Sequence, residues 1–270
     1  MLLKRPTRRR LERLRKHFDS SPLIDLTTDQ YRLGTLSHEA GSVERCYARS
    51  LGNCKGPISR EHFVSESILS TIGDLNPKGI PWLSHVEAAI PAKALATNCL
   101  CTYHNSFLSP LDALAGEFFK NAQNFFEPDA HSIIAWGPSF ERWFLKFLIG
   151  MLNTGKLTGK GKPILPQSLD DRWVRVLFGL EDFPDRTGLF ISYRAGQKMT
   201  PYNGLSGATV LSDDQLVGTR LQFAGIDFFF LLLPSDKAFD VKHPDYKYVI
   251  HRPKCINRAD LDRKIVWAWD

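Results

Sequence analysis

Two strings about forty residues apart hold the side chains best suited to chemistry: Glu61-His62 and Cys101-Thr-Tyr-His104-Asn105, with Cys46 and Cys54 just upstream of the first. Zinc favours a tetrahedron of Cys and His donors, drawn in structural sites from two knuckles. Cys101-x2-His104 has knuckle spacing. Cys46-x7-Cys54 is wider than usual, but Gly52 and Asn53 permit a tight return. Cys46, Cys54, Cys101 and His104 are therefore the expected structural zinc ligands. Cys99 competes for a place: if Cys99 and Cys101 both ligate, His104 is released. Ordinary buried thiols without a metal are the plainer alternative.

His62 lies between the two halves of that set and directly follows Glu61. A lone strand His is usually structural, but this placement points to chemistry. A neutral imidazole can take a proton from water near pH 7. Glu61 and Asn105 offer hard oxygen donors, and Mg²⁺ accepts one or two of these while keeping water or phosphate elsewhere. Asn105 follows immediately on His104, so zinc at His104 would fix the backbone that presents Asn105. Asp112 could add to such a site, although Ser109-Pro-Leu-Asp112 reads as a helix start in which Ser caps and Asp completes a capping box.

The order Cys…Cys…Glu-His…Cys-x-x-His-Asn resembles the HNH, or His-Me finger (ββα-metal), nucleases, in the subset braced by zinc knuckles and carrying Asn as the last metal ligand. The resemblance spans residues 44–126, about a third of the chain. It implies an endonuclease that hydrolyses DNA phosphodiester bonds. His62 would be the general base, Asn105 a ligand of a catalytic Mg²⁺ or Mn²⁺, and Glu61 a ligand directly or through water. Such nucleases often serve bacterial defence or mobile elements. Two departures stand out: His104 replaces the usual fourth Cys, and the middle Asn that orients the catalytic His has only Asn98 as its nearest candidate.

These residues need elements to hold them. Ile58–Val64 alternates as a strand, and a second strand is expected near Ala94–Leu100. A helix is expected from Ser109 to the Glu127-Pro-Asp break, with Leu111, Leu114, Phe118, Phe119 and Ala122 on one face. Residues 41–60 suit a looped ribbon and 73–81 a loop; His85, in the stretch between the two strands, reads as a solvated residue rather than a ligand. The second half is expected to supply an amphipathic helix over 140–152, a helix or strand over 173–180, and strands at 187–193, 209–211, 220–224, 226–233 and 246–250. The expected class is α+β: a basic arm and linker (1–40), a zinc-braced ββα-metal domain (41–128), and a mixed, strand-rich accessory domain (129–270). Within that accessory stretch Tyr202, His243 and His251 form no coherent site, and Trp267 and Trp269 are expected to close the core.

Eight Lys or Arg within residues 1–17 face Glu12 alone, more than the whole chain's formal net charge of +6, so the body is close to neutral. Arg8, Arg9, Arg10 and Arg13 are the candidate phosphate contacts; a solvated tail is the alternative. No apolar run approaches the ~18 residues of a membrane span, and no secretory apolar stretch follows the basic start. Clustered thiols then fit a reducing, cytoplasmic setting and a metal. Residues 23–40 read as irregular. A non-catalytic zinc module gripping nucleic acid is the competing function. A thiol redox role for Cys99-x-Cys101 lacks the surrounding pattern such motifs need.

Overall fold

The computed structural model describes residues 8–16, 18, 22–65, 68, 96–125, 127–155, 158–159, 162–164, 169–192, 205–212, 215–223, 225–234, 249–258 and 262–269. The expectations for 73–81, His85, Tyr202 and His243 lie outside these residues. Among the described residues the architecture is mixed α+β.

Two strands meet antiparallel, β2 (Ile58–His62) and β3 (Ala96–Cys101), and helix α2 (Thr102–Gln123) follows β3 without a loop. The pairing shifts register between Ser59 and Arg60. Such a bulge bends a strand and re-aims its side chains. Here it falls between the end carrying Ile58 and Cys101 and the end carrying Glu61 and His62.

Helix α2 does not begin at Ser109-Pro110, as the sequence motif suggested; it starts seven residues earlier and passes through Pro110. A proline lacks the N–H that would bond the carbonyl four residues back, normally a costly defect. Ser109 repairs it, its hydroxyl donating to the Ser106 carbonyl at 2.8 Å. Asp112 therefore caps nothing and is free for other work. The helix ends at Gln123, before Glu127-Pro-Asp.

A four-stranded sheet runs in the order β1 (Leu23–Leu26), β4 (Ser132–Trp136), β13 (Arg263–Ala268), β12 (Cys255–Arg258). Strands β1 and β13 both run parallel to β4, and β12 is antiparallel to β13. Strand β1 corrects the irregular reading of 23–40: four residues are too few for alternation to show, and pairing with β4 creates the strand. Five antiparallel strands form the second sheet, in the order β11 (Val249–His251), β7 (Gly188–Ser192), β10 (Ile226–Leu231), β9 (Gln215–Phe223), β8 (Leu205–Ser212). A small ribbon pairs β5 (Thr158–Gly159) with β6 (Lys162–Pro163). Helix α4 (Asp171–Leu177) resolves the 173–180 ambiguity; Asp170 caps it, accepting from the Arg172 N–H at 2.9 Å.

Helix α3 (Gly137–Asn153) is the centre of the molecule, and every residue from Gly137 to Leu152 is buried. It is enclosed on all sides, beyond the single thick apolar face its sequence suggested. Its Phe140 lies 4.3 Å from Phe118 of α2 and 5.8 Å from Phe228 of β10, centroid to centroid. Trp267 of β13 closes the same cluster 5.8 Å from Phe118. Burying each such ring contributes roughly 1.5–3 kcal/mol. The charged side chains of α3 are buried too, and a buried charge must be paired. Glu141 accepts from the Leu189 N–H at 2.9 Å and pairs with Arg252 at 3.1 Å. The Arg142 Nε donates to the Val176 carbonyl at 3.0 Å. At Gly150 a side-chain carbon would collide with Phe63, so glycine lets α3 lie against the chain leaving β2.

The arm forms helix α1 (Arg8–Lys16). Leu11 is buried, and Leu14 with Phe18 packs on Ile134 and Val266 of the first sheet. Arg15 pairs with Asp25 at 2.7 Å.

Candidate metal centre and adjoining pocket

Cys46, Cys54, Cys101 and His104 converge, their donor atoms all within 4.8 Å of one another and all four residues buried. Each arrives on a rigid support. Cys46 closes a turn through its N–H to the Val43 carbonyl at 2.9 Å. Cys54 sits in a knuckle held by the Gly41 N–H to Gly52 O bond at 2.7 Å and the Cys54 N–H to Gly41 O bond at 2.9 Å. Only glycine fits at 41, where a side-chain carbon would strike the Cys54 carbonyl. Cys101 ends β3, and His104 lies in the first turn of α2.

The His104 Nδ1 stands 3.4, 3.7 and 3.3 Å from the sulfurs of Cys46, Cys54 and Cys101. A zinc tetrahedron with its usual bond lengths has S···N edges of about 3.5 Å. The donor chemistry agrees. Burial holds the His104 imidazole down to about 4, so it is neutral with a lone pair to give. Burial pushes the Cys46 thiol up to about 12 and raises Cys54. Without a cation these two thiols keep their protons; a doubly charged ion stabilises the thiolate form and reverses that balance.

Asn53 had figured in the sequence only as a turn residue. Its Oδ1 accepts from His104 Nε2 at 2.6 Å, and its Nδ2 donates to the Ser37 carbonyl at 3.0 Å. That bond places the ring proton on Nε2 and leaves Nδ1 facing the sulfurs, the outer support that metal-bound imidazoles ordinarily have. Cys99 is buried with its thiol raised by burial, and it is not a member of the converging set.

A pocket of about 260 Å³ opens beside this cluster, lined by Arg60, Glu61, His62, Ser65, Asn105, Asp112 and Ala113. It brings together the three residues singled out for chemistry: His62 and Glu61 from β2, and Asn105 from α2. The Asn105 Nδ2 donates to Ser59 Oγ at 3.1 Å and to the Arg60 carbonyl at 3.4 Å. Its amide oxygen is thus turned from the strand. Asp112, two turns further along α2, reaches the same pocket. Asn98 is exposed on β3 opposite Arg60.

The Glu61 carboxylate points inward, almost wholly buried, onto the ammonium of Lys146 from α3. Lys146 Nζ also donates to both Asp112 oxygens at 2.8 Å and to the His62 carbonyl at 3.4 Å. Ser65 Oγ donates to Asp112 Oδ1 at 2.7 Å and accepts from Trp143 Nε1 at 3.2 Å. Burial, reinforced by the nearby Asp112 charge and opposed by Lys146, raises Glu61 to about 7. Burial alone would lower Lys146, but Asp112 and Glu61 outweigh it and keep the ammonium charged. Lys146 escaped the sequence reading, although one cation inside the apolar run Trp143–Leu152 is a signal: buried lysines have partners.

Of the arm residues, Arg10 and Arg13 are exposed on α1, and Arg8 and Arg9 open that helix. His251 Nε2 donates to the Thr187 carbonyl at 2.8 Å, a structural bond. No described helix is long and apolar enough to cross a membrane. No protein-family model, curated protein or solved structure matches the chain.

Proposed function

We propose that the chain is a divalent-metal-dependent endonuclease of the HNH type acting on DNA. The observation that carries this reading is that His62 and Asn105 line one pocket while the residue next to Asn105 belongs to a buried Cys3His cluster. The antiparallel β2–β3 pair, followed directly by α2, agrees with a ββα-metal finger. In this reading zinc in the buried cluster is structural. It holds the first turn of α2 against the knuckle at 41–54, and so fixes the backbone that presents Asn105.

His62 accepts a proton from the attacking water and so works as general base. Asn105 offers its amide oxygen as a hard ligand, Asp112 a carboxylate at the pocket wall, and Glu61 a carboxylate behind it acting through water. An Mg²⁺ or Mn²⁺ ion seated there would stabilise charge on the scissile phosphate and its leaving oxygen. Exposed Arg60 at the rim and the basic face of α1 would draw the phosphate backbone in.

Supercoiled plasmid is the test. Cleavage with Mg²⁺ or Mn²⁺, blocked by EDTA, is expected. His62→Ala should lower the rate by roughly 10²–10⁴-fold and leave zinc content and thermal stability unchanged. Equal cleavage by His62→Ala removes this residue from the mechanism. One feature favours the second reading, a zinc-containing module that binds nucleic acid without cutting it: the Glu61 carboxylate is already claimed by Lys146. DNA binding with no cleavage under any divalent metal would select that reading.

A further inference from the structure

The pocket's charge depends on a residue 84 positions from His62. Lys146 is 1% exposed, and so is surrounded by protein on every side. Its three N–H bonds have three destinations: the Glu61 carboxylate, the Asp112 carboxylate and the His62 carbonyl. Trp143 sits one turn earlier on the same face of α3 and reaches Asp112 through Ser65. One face of the central helix therefore grips both carboxylates of the pocket. The ammonium offsets carboxylate charge on this wall, with Arg60 at the exposed rim and half-buried His62 beside it.

A compact cation held by two carboxylates and a carbonyl oxygen has the surroundings of a bound metal ion. An oxygen-lined wall of this kind would otherwise attract a divalent cation into the interior, behind His62. We infer that Lys146 is a positioning residue that serves as the pocket's resident cation. It fixes Glu61 and Asp112 and denies the buried side of the pocket to a divalent ion, which must then seat outward at Asn105 beside His62. The inference rests on reading the pocket as a metal-dependent cleavage site, and it adds to that reading a device that sets where the ion sits.

The device has a signature that a purely structural lysine lacks: its removal should tighten metal binding while slowing turnover. Mn²⁺ is titrated into zinc-loaded, full-length protein, with free Mn²⁺ followed by electron paramagnetic resonance, and plasmid cleavage is measured in parallel. Lys146→Met should bind Mn²⁺ roughly tenfold or more tightly, because a unit positive charge next to the ion is gone. The same variant should cleave roughly tenfold or more slowly at saturating Mn²⁺, the ion being drawn inward from His62. Lys146→Arg, which keeps the charge, should stay within about twofold of the parent in affinity, and Asp112→Asn should bind roughly tenfold more weakly.

Folded Lys146→Met with unchanged or weaker Mn²⁺ affinity overturns the inference, as does Mn²⁺ binding by none of the proteins. Should Lys146→Met fail to fold, Asp112→Asn decides: affinity equal to the parent overturns the inference. A parent that cleaves DNA with a flat Mn²⁺ series sinks the role of Lys146 alone. A parent that never cleaves, with the affinity order intact, sinks the nuclease reading and leaves Lys146 in its place.

Discussion

His104 and Asn105 are neighbours in the chain, yet they face opposite kinds of site. His104 enters a sealed cluster of soft donors, in which burial raises the Cys46 and Cys54 thiols and lowers the imidazole. Asn105 faces a partly open pocket of hard oxygens and charges, lined by carboxylate, guanidinium and imidazole groups. Closed, sulfur-rich zinc sites hold structure, whereas chemistry needs an open coordination position and room for substrate. One turn of helix borders both: His104 enters the sealed cluster and Asn105 lines the adjacent pocket.

The widest separation between the two regions should appear on losing the sealed one. Structural zinc binds finger peptides with apparent free energies of about 10–16 kcal/mol. Cys101→Ser should therefore lose its zinc and lower the melting temperature by roughly 10 °C or more; zinc analysis and calorimetry check this. An unchanged melting temperature would mean that the cluster braces nothing.

Asn53→Ala probes the support of the cluster without touching a ligand. Losing the bond to His104 Nε2 should weaken zinc retention roughly 10–100-fold, measured by chelator competition. Retention equal to the parent would show that ring orientation is set by packing alone.

The pocket should respond to pH through a carboxyl of its own. Glu61 titrates near 7 when folded and near 4.5 when unfolded. A raised carboxyl contributes stability that is complete below the unfolded value and is lost as pH climbs through the folded one. The stability of the parent relative to Glu61→Gln should therefore fall between about pH 4.5 and 7, read from urea midpoints. A flat difference would place the Glu61 titration elsewhere.

The smallest change belongs to the arm, which the comparison puts outside both sites. Because Leu11, Leu14 and Phe18 pack on the body, charge removal is cleaner than deletion. Arg10→Gln with Arg13→Gln should reduce the salt dependence of DNA binding by about 0.9 in log–log slope per lost phosphate contact. An unaltered slope would leave the arm a packing element only.

The cluster could be read from residue types and spacing because its donors lie close to turns that glycine marks: Gly41 and Gly52 make the wide Cys46-x7-Cys54 interval work. The pocket could be read halfway. His62 and Asn105 are named by their neighbours in the chain, but Lys146 reaches them only through the fold. Pro110 misled because a lost backbone donor looks the same in sequence whether or not a hydroxyl such as that of Ser109 replaces it. Strand β1 left no trace because four residues become a strand only when β4 lies beside them. The full burial of α3 was hidden because Glu141, Arg142 and Lys146 find their partners at Arg252, Val176 and Asp112, far off in the chain.

The sheet order β1-β4-β13-β12 has one more implication. Material from the first thirty residues and from the last ten is woven around the same strand, and the rings of α2 are walled in by aromatics from α3, β10 and β13. A minimal fragment holding only the cluster and the pocket would enter solution with a bare oily flank and two acids stripped of their shared counter-ion. Anyone grafting this centre onto another scaffold would have to transplant the whole weave.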